Sequence, residues 1–199
     1  PRHLAVSPGI HAGGDDEQAT AAWVRWIVSK RPDLTIHSLP YRYGGVFDTI
    51  WSLFGLSRGS AYAAAEELVF ERGVRPGEEV LGFGFSGGVE RMVGASRALR
   101  IAGIPVVSVT GAAGPWTGGV PTRSARVHLS ENPFADPVVM TTRLVQGVFF
   151  WAPSNVEVRT VAEAEGHETP AFPDGRTRAP AAAYLPGFAE AIDWRLGAR

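Results

Sequence analysis

The chain has 199 residues, 45% of them hydrophobic and 20% charged, with a formal net charge of −1. That suits one domain with its own core, residues 1–199, and excludes both a disordered segment and a basic surface that would hold nucleic acid. Cysteine is absent, which excludes a disulfide framework and a thiol nucleophile and leaves the compartment open.

Lys30 is the single lysine among 19 basic residues, a bias that a GC-rich genome explains. The chain opens at Pro1 rather than Met, which reads as a processed end or a cut boundary. No signal peptide or transmembrane span is visible in it. An upstream targeting or membrane segment, and with it membrane association, stays open.

Apolar runs alternate with helical patterns along the chain, which predicts an α/β fold with a mostly parallel central sheet and helices on both faces. His3 to Ser7 reads as a strand, broken at Pro8-Gly9 before a polar loop from His11 to Asp16. Glu17 to Ser29 reads as a helix with Trp23, Trp26 and Ile27 on one face, ended by Arg31-Pro32-Asp33. Leu34 to Leu39 is a second strand. Tyr41 to Gly59 is unusually aromatic for a connection, with Phe47, Trp51 and Phe54 among its apolar residues.

Ser60 reads as the N-cap of a helix through Arg72 that Gly73 ends. Glu79 to Phe85 is apolar on both faces, as in a central parallel strand. Gly88 to Ala102 is a helix stopped by Gly103, and Pro105 to Thr110 the next strand. Gly111 to Thr122 is a glycine- and proline-rich loop. Ala125 to Ser130 is a strand. Asp136 or Pro137 opens a helix that runs towards Gln146 or Phe150, and Asn155 to Val161 is the last strand. A loop over Glu165 to Pro180 and a closing helix over Ala181 to Leu196 complete the chain.

The strongest local signal is the run Gly84-Phe85-Ser86-Gly87-Gly88, set between a buried strand and a helix. A serine at such a turn is forced into a strained backbone that lifts its hydroxyl above the sheet edge. Gly84 and Gly88 leave room for strand and helix to pass closely, and the helix N-terminus places N–H groups where an oxyanion would form. The plain alternative is a glycine-rich turn that only packs helix on sheet. Gly82, Gly84 and Gly87 also match the dinucleotide-binding pattern. That pattern needs an acid about 20 residues on, at the end of the next strand. The strand Pro105 to Thr110 ends in Gly111 and carries none.

A serine alcohol needs a histidine to take its proton and a carboxylate to orient that histidine. Two histidines follow Ser86. His128 sits within a strand and reads as a packed or half-exposed residue. His167 lies in a polar loop after the last strand, where an imidazole can reach over the sheet. The acid is Asp136 or Glu131, both after the penultimate strand, and Asp136 is preferred. As plain structure, Asp136 is a helix N-cap and Glu131 a solvated charge.

The Gly84 to Gly88 elbow, the Asp136-Pro137-Val138-Val139 segment and the Gly166-His167 loop follow the order of the small lipase- and esterase-like α/β-hydrolases, which this chain resembles over almost its whole length. The resemblance implies the compact α/β-hydrolase fold, without the two antiparallel strands that usually open it. It implies an oxyanion site made by the N–H of Gly87 and that of Ile10 or a near neighbour. The family's usual His-Gly after the first parallel strand is replaced by Ser7-Pro8-Gly9-Ile10.

Trp51, Phe54 and Trp116 are candidates for an apolar acyl pocket, with core packing as the alternative for the Tyr41 to Leu56 stretch. His11, Asp15 and Asp16 lack a second histidine at ligand spacing and are expected to bind no metal. The resulting expectation is a serine hydrolase of an ester or thioester with an apolar acyl group. It would take a small-molecule or lipid-like substrate and need no cofactor. A non-catalytic binding domain of the same fold is the alternative, and the dinucleotide-binding domain a weaker one.

Overall fold

The computed structural model describes residues 2–9, 29, 31–40, 47, 50, 51, 58–112, 126–132, 134–145 and 156–160. Six strands form one sheet: β1 (Arg2–Ser7), β2 (Thr35–Ser38), β3 (Glu79–Phe85), β4 (Val106–Ala112), β5 (Arg126–Glu131) and β6 (Val156–Thr160). Their order is β2-β1-β3-β4-β5-β6. Every neighbouring pair is parallel. The α-helices whose bounds fall among the described residues are α1 (Arg58–Glu66), α2 (Gly87–Ile101) and α3 (Pro137–Val145). None of the described helices is long and apolar enough to cross a membrane.

The sheet is buried on both faces, as a parallel sheet demands. On one face, Ala5, Val80 and Val109 meet Val89, Met92 and Leu99 of α2 in one apolar cluster. The helix pattern explains this contact, since residues 89, 92, 93, 96 and 99 recur on one stripe and all are buried. Burying each of Val89, Met92, Val93 and Leu99 contributes about 1.5–3 kcal/mol relative to leaving it exposed. α1 packs against α2, which itself lies over β1, β3 and β4. On the other face Leu4 and Val6 stand beside Leu81 and Phe83, all buried.

Among the described residues, most expected elements occur within two residues of their expected ends; the loop expected over Glu165 to Pro180 and the closing helix over Ala181 to Leu196 lie outside them. The helix expected over Ser60 to Arg72 differs in kind. It begins at Arg58, so Ser60 is inside it and not its cap. Its last part, Glu67–Glu71, widens into a π turn. Arg72 N–H then returns to Glu67 O (2.9 Å) and Val74 N–H to Leu68 O (3.0 Å). Gly73 and Gly103 stop their helices as expected, both left-handed at φ 69° and 77°. β4 runs on to Ala112, because Gly84 and Phe85 at the end of β3 pair with Gly111 and Ala112. β5 likewise takes in Glu131, opposite Thr160. Of the helix expected over Glu17 to Ser29, only Ser29 lies within the described residues, and it is helical.

Candidate active site

β1 has β2 on one side and β3 on the other. The chain therefore leaves the end of β1 in one direction and the end of β3 in the other. This is the switch point of the sheet, the position at which ligands bind in open parallel sheets. Ser7 and Gly84 are register partners at this edge, so Pro8-Gly9 and Ser86 emerge side by side.

Ser86 has φ 49° and ψ −127°. Among the described residues it is the one non-glycine with positive φ. A side chain held there costs on the order of 1–3 kcal/mol, which the surroundings must over-determine. Here they do. A Cβ on Gly84 would stand 2.6 Å from the backbone of Gly88 and Val89, and one on Gly88 would overlap the carbonyl oxygens of Ser7 and Pro8. Val89 N–H closes the turn on Ser86 O at 3.0 Å. Gly111, the register partner of Gly84, is a further member of this set. A Cβ there would overlap Val89 and stand 3.0 Å from Gly84 O.

In the sequence Gly111 shows only as a glycine that follows an apolar strand, with no sign of this close approach. Gly82 has the same packing duty, with Val109 and Met92 where its side chain would be.

Gly87 opens α2, so its N–H belongs to the first helical turn, whose donors have no partner further back in the helix. Gly9 lies against the nucleophile candidate, a Cβ on it being 3.3 Å from Ser86 Cβ. Ile10, the next residue, lies outside the described residues, as do His167, Phe54, Trp116, His11, Asp15 and Asp16.

Asp136 follows β5 and is fully buried. Its Oδ1 accepts from Val138 N–H (2.9 Å) and Val139 N–H (3.1 Å), so it caps α3. The turn before it is shaped by Asn132, whose Oδ1 accepts from Phe134 N–H and Ala135 N–H. Asn132 O receives Asp136 N–H at 2.9 Å. Glu131 is the last residue of β5 rather than a loop residue. His128 is half-buried within β5 and pairs through Nδ1 with Glu157 Oε2 at 3.0 Å on the neighbouring strand, the strand role expected of it.

Ser86, Gly87 and Gly9 thus come together, and Asp136 leaves the same edge of the sheet. β3 and β5 are two strand steps apart, about 10 Å, so a group between them is needed to connect serine and carboxylate. Trp51 is helical and 51% exposed, while Phe47 is 77% and Ile50 41% exposed. The described residues of that aromatic stretch therefore do not pack in the core.

Among solved structures, the alpha/beta hydrolase domain-containing protein 10 from mouse superimposes with a TM-score of 0.55 over 96% of this chain and 89% of that one, at 13% sequence identity. The chain has the α/β-hydrolase fold. No family model matches the sequence, and no curated protein matches it. In an α/β-hydrolase fold the strained strand-to-helix turn is the place of the nucleophile, and the loop after the strand beside it supplies an oxyanion donor. Ser86 stands at this chain's strand-to-helix turn, with Gly9 of the segment after β1 packed beside it.

Proposed function

We propose that this protein is a serine hydrolase that cleaves an ester or thioester with an apolar acyl group through an acyl-enzyme. The observation that carries this reading is the backbone of Ser86, at positive φ and wedged between glycines at the switch point between β1 and β3. A turn that only packs a helix on a sheet has no use for a strained serine, and a glycine there would remove the cost.

In the proposed reaction Ser86 Oγ attacks the acyl carbon while His167 takes its proton. Asp136 orients His167, and the N–H groups of Gly87 and Ile10 hold the negative oxygen of the tetrahedral intermediate. The bond to the alcohol or thiol then breaks, and His167 returns the proton to the leaving group. Water, deprotonated by the same histidine, releases the acid and restores Ser86. A carboxylate accepts at two oxygens, so the cap on Asp136 Oδ1 is compatible with orienting a histidine. Trp51, Phe54 and Trp116 supply the apolar lining, and no cofactor takes part.

The test is labelling by a fluorophosphonate followed by peptide mass spectrometry. The expected adduct is on Ser86 and is absent from Ser86→Ala. A folded chain that takes up no probe, or carries it elsewhere, would instead be a binding domain of the same fold.

A further inference from the structure

Arg91 lies on α2, five residues beyond Ser86, and is 1% exposed. Its guanidinium donates from Nη1 to Leu39 O (3.0 Å) and Pro40 O (3.0 Å) at the end of β2, and from Nε to Ser60 O (3.1 Å) in α1. Ser7 Oγ lies 3.3 Å from the same Nη1 and shares that nitrogen's two hydrogens with the two carbonyls. Ser7 Oγ in turn donates to Pro8 O, at a long 3.5 Å. The same carbonyl borders Gly88 on the elbow helix. A buried cation is therefore spent on backbone carbonyls that converge on α2 five residues beyond Ser86, where an apolar side chain would have met the needs of packing alone.

From this relay we infer that Arg91 is a positioning residue for the oxyanion side of the site, acting through Ser7 on the Pro8–Gly9 peptide. A peptide group is planar and trans, so holding its C=O on one side aims its N–H to the other. With Pro8 O held towards Ser7, the Gly9 N–H, and the start of the loop that leads to Ile10, take one orientation beside Ser86. This inference rests on the hydrolase reading.

The experiment compares wild type with Ser7→Ala, Arg91→Met and Arg91→Lys. Each rate is divided by the number of sites titrated with fluorophosphonate, so loss of folded protein does not enter. An oxyanion donor acts in the transition state, so its misplacement lowers kcat and leaves KM alone. Expected are a fall in kcat of about tenfold or more in Ser7→Ala and Arg91→Met, a KM within about threefold of wild type, and partial recovery in Arg91→Lys. Ser7→Ala removes one hydroxyl and leaves the carbonyl contacts of Arg91 in place, so it carries the test if Arg91→Met does not fold. Wild-type kcat per titrated site in Ser7→Ala, or a change confined to KM or to melting temperature, would overturn the inference while leaving the hydrolase reading intact. A wild-type chain inert to the probe would overturn both.

Discussion

Ser86 and Asp136 each combine a structural position with a proposed chemical one, and the two can be separated by substitution. Asp136 caps α3 through Oδ1. Asparagine caps a helix about as well as aspartate, so Asp136→Asn is expected to keep the melting temperature near that of wild type. It cannot hold the histidine in the required tautomer, and turnover is expected to fall by about four orders of magnitude. Glu131→Gln is expected to leave turnover near wild type, because Glu131 belongs to the end of β5 while Asp136 lies at the far end of the loop beyond it, just before α3. The reverse result, with Glu131→Gln inactive and Asp136→Asn nearly silent, would move the acid to Glu131. Asp136 is legible in the sequence as a cap, from its place before Pro137, or as an acid, from its place after the penultimate strand. The structure adds the capping bonds.

At the scale of elements, the turn from β3 into α2 depends on close backbone approach. Gly88→Ala would drive a methyl group into the carbonyl oxygens of Ser7 and Pro8. Overpacking of this kind costs typically about 1–3 kcal/mol. The melting temperature is expected to fall, and kcat with it, since the displaced residues are those beside Ser86. An unchanged melting curve would show that β1 and α2 can separate at no cost. The aromatic stretch gives an opposite expectation. Trp51 is half exposed and its helical neighbours Phe47 and Ile50 are exposed too. Trp51→Ala is therefore expected to change the ranking of short against long acyl esters with little loss of stability. A lower melting temperature with an unchanged ranking would return Trp51 to a packing role.

Across the whole molecule, the edge of the sheet opposite Ser86 holds a different arrangement. His3 Nδ1 and His37 Nε2 lie 2.9 Å apart with stacked rings, and His3 Nε2 meets Glu78 Oε2 at 3.1 Å. Between two imidazole nitrogens this close, one must donate and the other accept, so both rings cannot be charged without breaking the contact. Burial, and then the neighbouring His3 and Arg72, push the His37 pKa below its ordinary value, against a smaller opposing effect of Glu67. The unfolded chain thus takes up a proton near the ordinary imidazole value that the folded chain refuses. The stabilising effect is complete above about pH 6.5 and is lost as pH falls towards and through the lowered folded value. Melting temperatures at about pH 7.5 and 5.5 are expected to differ less in His37→Gln than in wild type. Equal differences in both proteins would mean that this pair does not govern the acid response.

Periodicity and punctuation in the sequence determined the strands, the α2 helix, the parallel arrangement and the place of Ser86, because each depends on residues within a few positions of one another. The runs Leu4 to Val6 and Val80 to Phe85 are buried on both faces, and so they appear as uninterrupted apolar stretches with glycines at the turn. What lay beyond local pattern was decided by tertiary contact. The π turn of Glu67–Glu71 has no sequence signal of its own. Gly111 matters because the register sets it opposite Gly84 and under Val89. Arg91 reads in the sequence as one more helical arginine. Only the fold brings Ser7, Leu39, Pro40 and Ser60 around it, from three segments far apart in the chain. A buried cation has to find its oxygens wherever the fold gathers them, and those partners carry no spacing that a sequence can show.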